Sequence, residues 1–206
     1  DHPAVLSGGR PPGQAPLMSR ADREIWDRRW SRPDPHSGLP PDPLLLEALA
    51  ELPRGRALDV GAGEGRNALL LASEGWRVDA LDVSEVALRR LAREARARGL
   101  PVRCAVVDLE EWRPPRGTYD LVVSVDFHLR SLLRQLRAGL RREGAYLAAQ
   151  RTLDHRGEPL REEWRLDAPG LAAAFPDFEV RVDRVRDGRR EFLAARRRLR
   201  APRRGR

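Results

Sequence analysis

The sequence predicts an α/β fold: a mostly parallel seven-stranded sheet with a C-terminal antiparallel hairpin and helices on both faces. Three observations predict it. From about residue 56 to 150, short apolar runs alternate with helix-period stretches, the pattern of strand–helix–strand units in a parallel sheet. The run Ala57, Leu58, Val60 breaks into glycines at 61, 63 and 65 and passes at once into a helical stretch from Ala68. A strand that opens into a glycine loop and then a helix is how such sheets hold nucleotide-like ligands. Near the end, two strand-like segments flank Asp187-Gly188, a two-residue hairpin signal.

Taken in order, residues 19–31 place Trp26 and Trp30 one helical turn apart. Prolines 33, 35, 40 and 41 then make an extended loop that carries His36. Asp42-Pro43 starts a helix as N-cap and first-turn proline, with Leu45, Leu49 and Leu52 on one face and Pro53 and Gly55 as its stop. A strand at 56–60 enters the glycine loop. A helix over 65–74 ends at Gly75, and a strand follows over 76–82. Ser84 caps a helix through Arg98, with Leu88, Leu91, Ala92 and Ala95 inward and Gly99 after its end. Strand 102–107 leads to Asp108, and strand 119–125 is almost wholly apolar, as a central strand should be. A helix with Leu132, Leu133, Leu136 and Leu140 is expected to end near Glu143-Gly144, before a strand at about 145–150. A short helix at 169–175 and the hairpin 178–185/190–195 complete the chain, with the first five strands linked by helices.

A chain of 206 residues is expected to make one domain, over residues 19–195. Residues 1–18, rich in Gly and Pro with the only methionine at Met18, are read as a disordered or non-native extension. The formal charge is +8, and all 39 basic residues are arginine. Seven of them sit in residues 196–206 with no acid, leaving 32 arginines against 31 acids in the rest. The excess therefore belongs to an Arg-rich tail expected to be disordered. Such a tail holds phosphates by charge alone, which keeps nucleic acid as a secondary partner. Cys104 is alone and the four histidines are scattered, so no disulfide or metal site is expected. No apolar run has membrane-spanning length, so no membrane partner is expected and the cytoplasm is the expected compartment.

The chemistry is concentrated at strand ends. The first four strands each end in or near an aspartate, at Asp59, Asp82, Asp108 and Asp126. All four should lie at the carboxyl edge of the sheet, where ligands bind. An ionised carboxylate only accepts hydrogen bonds, so it suits hydroxyl pairs and amines rather than phosphates. Asp82 is placed to accept from both ribose hydroxyls of a nucleoside, and Asp108 from an adenine amino group. Dinucleotide loops read G-x-G-x-x-G; here the spacing is G-x-G-x-G, and Arg66 stands where the third glycine belongs. An acid-lined pocket without a pyrophosphate cradle favours S-adenosylmethionine (SAM) over NAD.

The successive segments Asp59-x-Gly61-x-Gly63-x-Gly65, Asp82, Val107-Asp108-Leu109 and Tyr119-Asp120-Leu121-Val122-Val123 resemble the motifs of class I SAM-dependent methyltransferases, in order and spacing, from about Ala57 to Gln150. More narrowly, Gly65-Arg66-Asn67-Ala68 and Arg130-Ser131-Leu132 resemble the small tellurite-resistance-type enzymes. Trp26-x-x-x-Trp30 followed by His36 is similar to the N-terminal segment of thiopurine methyltransferases, where tryptophans help cover the cofactor. The chain departs from that group at Arg142-Glu143-Gly144, where Pro-Gly-Gly is usual, and at Phe127, where tyrosine is.

The resemblance implies a Rossmann-like class I methyltransferase fold, SAM as cofactor and S-adenosylhomocysteine as product. It implies that Gly61, Ala62 and Gly63 contact methionine and ribose, and that Asp82 and Val83 hold ribose and flank adenine. Asp108 and Leu109 would bind adenine, Ser124 would face the methionine end, and Asp59 opens the loop motif. Trp26 and Trp30 are the expected lid, Arg130 a substrate contact, and His128 or Asp126 the best-placed general base. A nucleobase substrate is disfavoured by Cys104 lying inside a strand and by the lack of an aromatic-proline motif. The expected substrate is a small molecule of thiol, amine or chalcogen-oxyanion type, acted on by a monomer or homodimer. The alternatives are an RNA or protein methyltransferase using the basic tail, and an NAD-binding oxidoreductase.

Overall fold

A computed structural model describes residues 20–32, 39–152, 166 and 168–195. The expectations for residues 1–18, for His36 and for the tail 196–206 lie outside the described residues. Two helices, α1 (Arg20–Trp30) and α2 (Pro43–Leu49), precede β1 (Arg56–Val60), α3 (Arg66–Ser73), β2 (Arg77–Asp82), α4 (Glu85–Ala97), β3 (Val102–Val106) and β4 (Tyr119–Val125). After a 3-10 turn at Arg130–Leu132 come α5 (Leu133–Gly139), β5 (Leu140–Arg151), α6 (Ala168–Ala174), β6 (Glu179–Arg186) and β7 (Arg189–Ala195).

The seven strands form one sheet in the order β3-β2-β1-β4-β5-β7-β6. β1 through β5 pair in parallel, and β7 inserts antiparallel between β5 and β6. The reversal of strand order lies between β1 and β4, so the ligand crevice is expected above their carboxyl ends. Alternate residues of each central strand enter two separate cores. Ala57, Leu121, Val123, Ala145 and Leu147 pack with α2, α3 and α4. Leu58, Val60, Val122, Tyr146 and Ala148 pack with α5, α6 and the aromatic cluster of Phe175, Phe178 and Phe192.

Local chemistry sets most boundaries. Asp42 caps α2, its carboxylate accepting from the Leu44 amide at 3.0 Å, and Pro43 is the first helical residue. Ser84 caps α4, accepting from the Ala87 amide at 3.3 Å. The Asp187-Gly188 turn has φ of 50° and 70°, the paired left-handed residues that a tight hairpin needs. On α4 the buried stripe is Ala87, Leu88, Leu91 and Ala95, while Ala92 is exposed. On α2, Leu44 is buried beside Leu45, and Leu49 is half-buried.

Two expectations are corrected. β5 begins at Leu140 rather than 145, because α5 stops at Gly139, where any Cβ would lie 2.7 Å from the Pro114 side chain. Leu140 then pairs with Tyr119, and the register shifts before Ala145. No helix links β3 to β4. That connection contains Pro114-Pro115 and Gly117, which cannot sustain a helix, and it covers the sheet with buried Leu109 and Trp112 instead. Beside that loop, buried Asp79 accepts from Arg56 at 2.8 Å, from Arg103 at 2.9 Å and from the Tyr119 hydroxyl at 2.9 Å, closing the sheet face with a paired polar cluster.

Gly65 caps α3 at φ 81°, and a Cβ there would meet the Leu91 side chain at 2.2 Å. Gly65→Ala should therefore destabilise the protein by about 1–3 kcal/mol, combining overpacking with left-handed strain, measured as a lower urea midpoint at unchanged m-value.

Candidate functional site

The glycine loop between β1 and α3 is held down by the end of β2. The amides of Gly61 and Ala62 both donate to the Leu81 carbonyl at 2.9 Å, and the Gly63 amide donates to Asp82 Oδ2 at 2.8 Å. Three consecutive loop amides are thus turned into the protein. Loops that bind phosphate instead aim such amides at the ligand. This loop offers bare backbone, at φ of 70°, 55° and 81° for its three glycines, where a side chain would not fit. A Cβ on Gly61 would lie 2.5 Å from Phe127, and one on Gly63 would lie 2.9 Å from the Trp30 indole.

Asp82 is buried, and its second oxygen accepts from the Ser84 amide at 2.8 Å. Burial raises its pKa above the ordinary carboxylate value, while the amides of Ser84, Gly63 and Val83 hold it down. A carboxylate has about four acceptor sites, so these amides leave it capacity for a hydroxyl. Next to it, the Ser84 hydroxyl donates to Asp27 of α1 at 2.5 Å, and the Val86 amide reaches the same oxygen at 3.3 Å. Asp27 thereby anchors α1 at the N-terminus of α4, and Trp30, one turn on, lies on the loop. Trp26 points outward, exposed, with the Arg29 guanidinium 5.2 Å from its ring centre. On the loop itself, Glu64 is ion-paired with Arg90 of α4.

Asp59 lies below the loop, fully enclosed. Its Oδ2 has no hydrogen-bond partner. Burial first, then the nearby Asp82 charge, push its pKa up to about 7 against the opposing pull of Arg66 and the Ala68 amide. It is a buried carboxyl poised between its two protonation states at neutral pH.

Past β4 the chain turns sharply. Asp126 has φ 54°, a strained conformation for a residue with a Cβ. It is held there by its own amide on the Ala149 carbonyl at 2.8 Å, and by Arg66 and Arg189, each 3.0 Å from its carboxylate. Arg189 also reaches buried Asp42 at 2.7 Å, while Arg66 donates to the Pro40 carbonyl at 2.9 Å and Asn67 accepts from the Asp42 amide at 2.9 Å. Burial raises the Asp42 pKa and Arg189 opposes that most strongly. Two guanidiniums and two carboxylates form one balanced network at this edge.

The other expected site residues fall around the same crevice. Asp108 accepts from the Glu110 amide at 2.9 Å and makes the turn after β3. Val83 and Leu109 are buried, Leu109 within the core. The Ser124 hydroxyl donates to the Phe127 carbonyl, and His128 is buried behind that turn. Arg130 opens the 3-10 turn on the exposed side. Sequence reasoning missed Asp27 and the Asp42–Arg189 pair. Asp42 carried only the signal of a helix cap, and Arg189 only that of a hairpin strand. Among the described residues no cluster of histidines, cysteines and acids could hold a metal ion, and no helix is long and apolar enough to cross a membrane.

Comparison with known proteins agrees with this geometry. Residues 57–144 match the family described as "Methyltransferase domain". Protein-L-isoaspartate O-methyltransferase from Methylorubrum populi is 39% identical over 84 residues, 39% of this chain and 38% of that protein; the chain thus spans well under half the length of that relative. The structure of TehB from Haemophilus influenzae aligns with TM-score 0.63 at 17% identity, over 85% of this chain and 67% of its own. An S-adenosylmethionine dependent methyltransferase from Mesorhizobium loti aligns with TM-score 0.56 at 17% identity, over 75% and 96%.

The Asp59 carboxyl gives the site a testable pH signature. Its folded pKa lies above its unfolded value, so the folded state binds more protons through that window. Its contribution to stability is full below the unfolded pKa and is lost as pH rises toward about 7. Urea unfolding at pH 5, 6, 7 and 8 should show the wild type losing stability relative to Asp59→Asn as pH rises.

Proposed function

We propose that this chain transfers a methyl group from SAM to a small-molecule acceptor, a reading supported by the match of residues 57–144 to the family described as "Methyltransferase domain" and by the likeness of its fold to a SAM-dependent methyltransferase. The observation that carries the proposal is the glycine loop. Its three amides are spent on β2, and its outer surface is bare backbone with the Trp30 and Phe127 rings against it. That surface suits a flat, phosphate-free nucleoside, and it disfavours a dinucleotide whose pyrophosphate would need those amides.

In this reading Gly61, Ala62 and Gly63 pack against the methionine and ribose portions. Asp82 accepts from ribose hydroxyls through its remaining lone pairs, with Val83 beside the adenine. Asp108 and Leu109 border the adenine, and Ser124, through its bond to the Phe127 carbonyl, shapes the turn at the methionine end. Trp30 is the lid and α1 its carrier, anchored by Asp27; the outward-facing Trp26 is the entrance side of the same helix. The bound cofactor supplies an activated methyl group on a cationic sulfur.

The chain's own contribution is alignment and exclusion of water. Holding nucleophile and methyl group in line is worth about 7–11 kcal/mol of barrier in well-oriented reactions. Closing α1 over the loop removes water from a centre where charge is consumed. Asp126 is held in ion pairs with Arg66 and Arg189, which occupy both its oxygens. His128, buried behind the same turn, is therefore the better candidate for taking up the acceptor's proton. Arg130, exposed at the start of the 3-10 turn, is assigned to contact the acceptor in this reading. We place the activity in the cytoplasm, in a single domain over residues 19–195.

Calorimetric titration tests the cofactor assignment. Asp82→Ala should bind S-adenosylhomocysteine at least tenfold more weakly than wild type, about the worth of a charge-assisted hydrogen bond of ~1.5–3 kcal/mol. Unchanged affinity in a folded variant would place the ribose elsewhere.

A further inference from the structure

The sheet edge beside the 126–129 turn holds a polar group that none of the roles above uses. On β5, Ala145, Leu147 and Ala149 enter one core, while Tyr146 and Ala148 enter the other. By the period of a strand, Gln150 continues the second set. It lies at the carboxyl end of β5, one residue after the carbonyl that accepts the Asp126 amide, and pairs across the sheet with Arg190 of β7. Gln150 is 7% exposed, and its Oε1 has no hydrogen-bond partner. Ser124, which pairs with Ala148 in register, is not available to it, because its hydroxyl proton is given to the Phe127 carbonyl.

An unpaired buried carbonyl oxygen is costly to a folded protein. Such a group fits a site completed by a ligand donor. The charges nearby point the same way. Arg66 and Arg189 are matched by Asp126 and Asp42 within one network, so these two guanidiniums bring no net positive charge to an anionic acceptor. A chalcogen oxyanion would react through a lone pair on its chalcogen atom, which carries no hydrogen for Oε1 to accept.

Resting on the methyl-transfer reading, we propose that Gln150 orients the acceptor, and that the acceptor carries an N–H, O–H or S–H at its nucleophilic atom rather than being a chalcogen oxyanion. Gln150 Oε1 accepts that hydrogen and turns the nucleophile's lone pair toward the methyl carbon. As the new bond to carbon forms, the carbon–sulfonium bond breaks and its electron pair goes to sulfur, giving a thioether. The acceptor's proton leaves to His128, the group assigned that role above, and from there to solvent. An amide is no base at neutral pH, so Gln150 contributes orientation only.

The experiment uses the full chain with SAM and four probes: benzylamine, benzyl mercaptan, sodium selenite and sodium tellurite, with S-adenosylhomocysteine release as readout. At least one of the first two should show a kcat/KM tenfold or more above both oxyanions. Gln150→Leu should raise the KM for that probe tenfold or more, while S-adenosylhomocysteine affinity stays within twofold and the Tm of the free protein does not fall. Gln150→Glu, the same shape with its acceptor oxygens kept, should retain the wild-type KM within a few fold. Preference for an oxyanion, an unchanged KM in Gln150→Leu, or a lowered Tm in both variants would overturn the proposal. So would a protein that binds SAM but turns over neither benzylamine nor benzyl mercaptan. A wild-type protein that binds neither SAM nor S-adenosylhomocysteine would instead overturn the methyltransferase reading itself.

Discussion

The end of β2 governs this molecule. Leu81 and Asp82 accept the three successive amides of the glycine loop, which fixes the loop's shape and turns its donors away from the crevice. The same carboxylate takes the Ser84 amide and so fixes the start of α4. Ser84 in turn binds Asp27 and holds α1 across the crevice. Loop, helix start and the seat of α1 therefore depend on one buried aspartate and its neighbour, joined through contiguous hydrogen bonds.

A second constraint closes the crevice on the side of α2 and α3. Asp126 is held in a left-handed conformation by Arg66 and Arg189, and Arg189 also neutralises buried Asp42. Removing one partner would leave a buried charge unpaired, which is far more costly than losing a surface pair. The network ties the loop before α2, the start of α3, the end of β4 and the start of β7 to one another. Elements distant in sequence thereby form a rigid wall. Arg66, which breaks the dinucleotide glycine pattern, is a working part of that wall.

The opposite face is built more economically. With no helix between β3 and β4, the proline-rich connection packs Leu109 and Trp112 against the sheet, and Asp79 gathers Arg56, Arg103 and Tyr119 over the remainder. Towards β5 and β7 this face becomes aromatic, with the Tyr146 and Phe175 rings stacked 4.7 Å apart. Gln150 stands at the carboxyl end of β5, where that core meets the crevice, with its Oε1 buried and unpaired.

Strand and helix periods, caps and turn residues are local, and the sequence by itself determined what depends on them. The alternation of elements, the Asp42-Pro43 and Ser84 helix starts, the Asp187-Gly188 hairpin and the glycine loop were all legible without coordinates. Legible too was the run of aspartates at strand ends, because an aspartate at the end of a parallel strand has only one edge to occupy. The early start of β5 was not legible, because it depends on Pro114 packing against Gly139, a contact between segments distant in the chain. Nor was the division of labour among the carboxylates. Asp59 is raised toward neutrality by enclosure, Asp82 is spent on backbone amides, and Asp126 is clamped by arginines 60 and 63 residues away. Desolvation and long-range pairing set those states, and neither is a property of a residue's neighbours in the chain. Only the tertiary structure could decide them.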